Sequence, residues 1–148
     1  MTGLEEKKKR VLFFAFLISF LLFPVSSIRP SDSKNLYIIL GSGVANLTVE
    51  DIKKAYKGEL SSMGGKEIIL YEPPVGSDAK KIFVQEFLGM DMETYRKIWL
   101  IKLMGGSQVP KVVKEDEIVN HVATQSNAVG YVSFHPPADR NVKVITIK

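Results

Sequence analysis

Short continuous apolar runs alternate in this chain with stretches whose apolar positions recur every three or four residues. Leu36 to Leu40 (LYIIL) and Ile68 to Tyr71 (IILY) have the length and continuity of strands buried inside a layered domain. Ala128 to Phe134 (AVGYVSF) reads as another, and Val142 to Ile147 (VKVITI) as an edge or closing strand. Between them lie helical spacings: Val49, Ile52, Ala55 and Tyr56; Ala79, Ile82, Phe83, Phe87 and Leu88; Met92, Tyr95, Ile98, Trp99 and Leu103; Ile118, Val119 and Val122. Thr48 with Asp51 makes a variant capping box, and Ser77 and Asp91 are N-cap residues, each with an oxygen for an orphan N–H of the next turn. Gly58, Gly89 and Gly105-Gly106 stop the first three helices, and Asn127 marks a turn after the fourth. Strands alternating with helices imply an α/β fold, a three-layer lobe with a largely parallel or mixed sheet and flanking helices.

The N-terminus follows a different pattern. Lys7 to Arg10 is basic, and Val11 to Val25 (VLFFAFLISFLLFPV) follows without a charge. This is the n-region and h-region of a secretory signal, and the run is short for a spanning helix, which needs about 20 apolar residues. Residues 1–27 therefore read as a signal peptide, or as an N-terminal membrane anchor if Val25 to Ser27 is not cleaved. Residues 28–35 (IRPSDSKN) read as a linker and 36–148 as the folded domain. The expected location is exported, in the periplasm or cell envelope, with any membrane contact made through the N-terminal segment. Without its first 27 residues the chain keeps 16 basic against 14 acidic side chains, so its net charge drops from +4 to +2 and gives no case for nucleic acid. With no cysteine, the domain is held by an ordinary core without disulfides.

The candidate chemistry lies after the second strand. Pro73, Pro74 and Gly76 make a turn, and Ser77 opens a helix. A glycine-serine turn ahead of a helix offers free N–H groups and the positive end of the dipole, a natural seat for an anion. Gly41-Ser42-Gly43, a flexible loop at the end of the first strand, is a second candidate, since ligands of open α/β sheets gather at strand carboxyl ends. Each also has a plainer reading, a cap in one case and a turn in the other. Trp99 and Tyr131 read as packing rather than as ligand contacts, His121 as a solvent position, and Lys53, Lys54 and Lys57 as a solvated helix face.

Several of these segments together resemble one known family. NLTVEDIKKAYKGELSSMGGKEIIL, from Asn46 to Leu70, is similar to the head of the short phosphate-type substrate-binding proteins of ABC importers, with Ala55-Tyr56 for the usual Ile-Phe and Met63 where tryptophan is common. VGSDAKKIFVQEFL keeps that family's Gly76, Ser77, Phe83 and Leu88. Trp99, Gly106 and Pro110 match its Tyr-Trp helix and glycine-proline segment, and NAVGYV from Asn127 to Val132 is close to its GAIGYV. The resemblance covers about 100 residues, through the order and spacing of motifs that are each unspecific. It implies one lobe of the type 2 periplasmic-binding fold and a phosphate or other small oxyanion as ligand. It further implies an envelope or ABC-transporter protein as partner and a site at Gly76, Ser77 and Asp78 with Gly41, Ser42 and Gly43. The departures fall on that site. The family's Gly-Ser-Gly-Thr loop is here Gly76-Ser77-Asp78-Ala79, and the arginine ahead of the glycine is missing from the stretch Glu72-Pro73-Pro74. A carboxylate in the first turn stabilises the empty helix and repels an anion. The resemblance therefore implies weak or partner-assisted binding, with an envelope interaction module lacking a small-molecule ligand as the alternative.

No enzyme is expected. The sequence has no cysteine nucleophile, G-x-S-x-G elbow, P-loop or H-E-x-x-H, and the adjacent pairs Glu50-Asp51 and Asp116-Glu117 read as first-turn helix acids. No cofactor, metal or nucleic acid is expected either. The leader makes one direct prediction. Leu17→Arg places a charge in the apolar run, at a cost of about 2.5–3.5 kcal/mol at a helix centre. Export should fail in a fractionation assay, and normal export of that variant would show that the segment is not the signal.

Overall fold

The computed structural model describes residues 35–148, and the leader and most of the linker lie outside the described residues. The described residues form one compact unit. The order is β1 (Leu36–Leu40), a short 3-10 turn (Ser42–Val44), α1 (Val49–Tyr56), β2 (Ser62–Met63), β3 (Lys66–Glu67) and β4 (Ile69–Glu72). Then come α2 (Asp78–Ile82), continued by a π-helical stretch (Phe83–Phe87), α3 (Met92–Met104), β5 (Lys111–Val112), α4 (Glu115–Thr124), β6 (Ala128–Val132) and β7 (Lys143–Ile147).

Five strands form one sheet in the order β5-β4-β6-β1-β7. β4 runs parallel to both β5 and β6, whereas β1 is antiparallel to β6 and β7. The sheet is thus mixed. β2 and β3 form a separate hairpin inside the stretch that reads as loop, turning at Gly64-Gly65.

Alternation along the strands sends side chains into two cores. Leu36, Ile38, Leu40, Leu70, Val129 and Tyr131 meet α1 and α2 on one face, joined by Tyr95 of α3. Ile39, Tyr71, Ala128 and Val132 meet Ile118, Val119 and Val122 of α4 on the other. The result is the three-layer lobe expected from the sequence. The buried residues of both cores lie between Leu36 and Val132, with Ile145 and Ile147 packed against the first and Val142 against the second, so residues 36–148 carry what an independent domain needs. Among the described residues no helix is long and apolar enough to cross a membrane.

The caps form as the sequence predicts. Thr48 and Asp51 make a reciprocal capping box at α1, and the Asp91 carboxylate accepts the Thr94 N–H at 2.7 Å. Other expectations shift. β4 starts at Ile69 rather than Ile68 and ends on a buried glutamate, Glu72. Leu103, expected on the buried face of α3, is exposed, because Tyr95, Trp99 and Lys102 turn inward instead: the Trp99 indole N–H and Lys102 ammonium donate to the carbonyls of Tyr56 and Gly58. His121 is half-buried, with its ring stacked on Tyr71 at 4.9 Å, and does not sit in solvent.

α4 lies so close to β6 that a Cβ on Gly130 would stand 2.4 Å from Ile118 Cγ2 and 3.2 Å from Val122 Cγ2. Gly130→Ala should lower stability by about 1–3 kcal/mol, the usual cost of overpacking a filled core. A chemical denaturation midpoint equal to that of the unmodified domain would show that α4 can shift freely.

Candidate functional site

The turn after β4 is built by its backbone. Gly76 has φ +94°, a conformation side-chain-bearing residues rarely adopt, and no atom would crowd a Cβ there, so the turn itself needs the glycine. Ser77 then caps α2: its Oγ accepts the Lys80 N–H at 3.2 Å, and its carbonyl accepts the Lys81 N–H. The Ser77 N–H donates to the Pro74 carbonyl. Among the described residues the Asp78 N–H has no acceptor, and the Asp78 carboxylate is exposed and accepts no hydrogen bond from the turn. The helix start is capped but not closed over by its own acid.

Gly76 and Ser77 stand at the rim of a groove of about 920 Å³ between α2 and α3. Lys81 and Arg96 line the same groove. Neither cation has an ion-pair partner among the described residues. Arg96 comes from α3, well away in sequence, and brings a guanidinium to the groove that Gly76 and Ser77 also line. A planar fork of donors suits bidentate recognition of an oxyanion. The rest of the lining mixes apolar side chains, among them Val75, Trp99, Leu100 and Leu103, with the polar and charged Gln85, Glu93 and Lys97.

The groove floor holds a polar cluster. Lys80 Nζ donates to Glu72 Oε1 at 2.7 Å, and the Tyr95 hydroxyl donates to Glu72 Oε2 at 2.6 Å. Glu72, Lys80 and Tyr95 are all buried. Burial, reinforced by the Glu72 charge, pushes the Tyr95 phenol far above its ordinary pKa. The same two causes raise Tyr56 and Tyr131, so all three phenols stay neutral and Tyr95 remains a donor. Tyr131 packs face to face on Phe83 at 3.8 Å, and its buried hydroxyl has no partner among the described residues.

The second candidate loop stands apart. Gly41 N–H donates to the Ala128 carbonyl and Gly43 N–H to the Ser126 carbonyl. A Cβ on Gly41 would come within 2.5 Å of the Gln125 carbonyl oxygen. The glycines let β1 turn tightly against the start of β6, and their amides are used in doing so. Ser42 is exposed, and none of Gly41, Ser42 and Gly43 lines the groove that holds Gly76 and Ser77. Among the described residues no three His, Asp or Glu side chains converge on a point that could hold a metal.

Sequence reasoning missed Glu72, Lys80, Lys81, Tyr95 and Arg96 as site residues. One signal was present: Lys80 stands at helical spacing with Phe83, Val84 and Phe87, on the stripe that becomes buried.

No family model matches this chain, and no curated protein matches it. Its fold matches the X-ray structure of a Clostridium perfringens protein named as a phosphate ABC transporter substrate-binding protein, solved with phosphate bound, at a TM-score of 0.52 and 23% identity. It also matches an ABC-type phosphate transport receptor from Vibrio cholerae at a TM-score of 0.51 and 21% identity. In both, 75% of this chain is covered, against 44% and 45% of the other chain, so it spans less than half their length. The likeness is one of fold.

The buried cluster makes an energetic prediction. Lys80→Met strands the Glu72 carboxylate, and breaking a buried pair on one side costs about 3–5 kcal/mol. Glu72→Met with Lys80→Met should be markedly less destabilised than Lys80→Met alone. Equal losses in denaturant titrations would mean that the pair is not coupled.

Proposed function

We propose that this chain is an exported, non-enzymatic, solute-binding-like protein. In this reading it holds phosphate or another small oxyanion, weakly or together with an envelope or ABC-transporter partner, in the groove between α2 and α3. One observation carries the reading: the fold gathers the Gly76-Ser77 turn, with the open Asp78 N–H beside it, and the unpaired cations Lys81 and Arg96 around one open groove. Arg96 supplies from α3 the guanidinium missing ahead of Gly76. The fold likeness to a phosphate-bound protein supports the ligand class. Gly41, Ser42 and Gly43 take at most an indirect part, by holding the start of β6. Asp78 keeps the affinity low, because its charge favours the empty helix and opposes an incoming anion.

A second reading has its own observation. Leu100, Ile101, Leu103 and Met104 on the outer side of α3 are 56–80% exposed, and Val75 and Val112 are also exposed. Apolar residues grouped in this way mark protein contacts in many soluble folds. A degenerate binding fold acting as an envelope interaction module would use that face and need no small ligand.

Calorimetry on residues 33–148 with phosphate and sulfate separates the two. Binding should appear, and Ser77→Ala should weaken it. Asp78→Gly should tighten it about fivefold to tenfold, since removing one like charge beside a partly buried anion is worth on the order of 1 kcal/mol. Stability should fall in the same variant, by about 0.5–1 kcal/mol for glycine in a helix. Flat titrations at millimolar ligand would sink the first reading. Crosslinking in intact envelopes that recovers only monomer, together with thermal stabilisation by phosphate, would reject the second.

A further inference from the structure

Beneath the rim lies a second set of donors that the oxyanion reading leaves unused. Lys80 Nζ from α2 and Tyr95 Oη from α3 converge on one carboxylate, that of Glu72 at the end of β4, at 2.7 and 2.6 Å. All three residues are buried, yet all three line the groove whose rim carries Ser77, Lys81 and Arg96. A desolvated ammonium and a neutral phenol O–H aimed at a single anion are the components of an anion-binding site. Here the chain fills that site with its own side chain.

We propose that Lys80 and Tyr95 form an inner anion seat, and that Glu72 occupies it as a resident counter-anion that keeps outside oxyanions from reaching the buried ammonium. The inference rests on the groove being where an oxyanion enters. While the carboxylate is in place, a second anion near it meets a like charge in a medium that screens poorly, and no free donor on the floor compensates. Once the carboxylate is removed, Lys80 is buried and unpaired. A small oxyanion or carboxylate from solvent then supplies the missing charge. Glu72 in this view sets the affinity of the groove, and the rim donors alone hold whatever the native protein binds.

The test removes the resident anion and offers another. Glu72→Ala and the isosteric Glu72→Gln are made in residues 33–148 and melted in chloride, in inorganic phosphate and in acetate. Both variants should melt below the unmodified domain in chloride. Millimolar phosphate or acetate should raise their melting temperatures, with an apparent affinity for phosphate about tenfold or more above that of the unmodified domain. Adding Lys80→Met to either variant should abolish the anion effect. If a variant is unfolded in chloride, recovery of its circular dichroism on adding phosphate, dependent on Lys80, supports the proposal equally. Absence of any Lys80-dependent rescue in both variants, including unfolding that the anions do not reverse, overturns it. The rim reading fails separately. Flat titrations of the unmodified domain, with Lys80-dependent binding in Glu72→Ala, would reject the rim and keep the seat. Ser77-dependent binding by the unmodified domain, with no gain on removing Glu72, would do the opposite.

Discussion

The Glu72–Lys80 ion pair is the interaction on which this lobe turns. It joins the carboxyl end of β4 to the first turn of α2, and through the Tyr95 hydroxyl it fixes α3 to both. Both charged side chains are almost fully withdrawn from water, at 6% and 4% exposure for Glu72 and Lys80. Desolvation alone would cost several kcal/mol per ion, so such a pair survives only when the geometry is good and further hydrogen bonds satisfy the remaining lone pairs. The Tyr95 bond meets that demand on the second carboxylate oxygen. Lys80 Nζ stands over the Tyr95 ring, 5.7 Å from its centre, which adds a cation–π contribution. Three elements are therefore held at one point by contacts that apolar packing alone does not specify.

The aromatic layer below shares that dependence. Tyr131 stacks on Phe83, and Tyr56 meets both edge-on at 5.6 and 4.7 Å. The Tyr56 hydroxyl donates to the Tyr71 carbonyl at 2.7 Å, beside the strand end that carries Glu72. α2 must present Phe83 to this stack and Lys80 to Glu72 at once. Its widened continuation, in which the Leu88 N–H reaches back to the Phe83 carbonyl, keeps Phe83, Val84, Phe87 and Leu88 on the buried face.

Much of this architecture is legible in the sequence, and the gaps have physical causes. Strands β1, β4 and β6 are found because continuous apolar runs are rare outside a sheet buried on both faces, and β7 because its apolar and polar residues alternate as on a half-buried edge strand. The capped helix starts are found because Thr48, Ser77 and Asp91 each place an acceptor where N–H groups are orphaned. β5 is not, because Lys111 and Val112 are exposed and pair only along one edge, leaving no apolar run to read. Leu103 is assigned to the wrong side because α3 carries apolar residues all round, so periodicity cannot choose a face. The turn at Gly76-Ser77 is legible, but its surroundings are not. Glu72 reads as the polar end of a strand, and its partners stand eight and twenty-three residues away. Only the packing of α3 against α2 brings Arg96 and Tyr95 to the same groove.

A helix start after a strand is a place where a fold asks for negative charge, and this chain answers with its own carboxylates. Asp78 sits in the first turn of α2, where the dipole favours an acid, and Glu72 meets the ammonium just inside. Ser77 directs its oxygen to the Lys80 N–H, so the cap is complete without a ligand. The domain can thus fold and stay folded with the groove empty. A binding site whose donors are unsatisfied gains stability from its ligand, whereas one whose inner donors are already paired gains only from what the rim adds. Lys81, Arg96 and Lys97 are the cations that remain along the groove, and they are exposed to solvent, where charge interactions are screened. On the proposed reading, a cover that lowers the dielectric around the groove would strengthen its hold on an anion. Leu100 and Leu103, on the exposed apolar side of α3, line that same groove, so its mouth combines apolar surface with the screened cations.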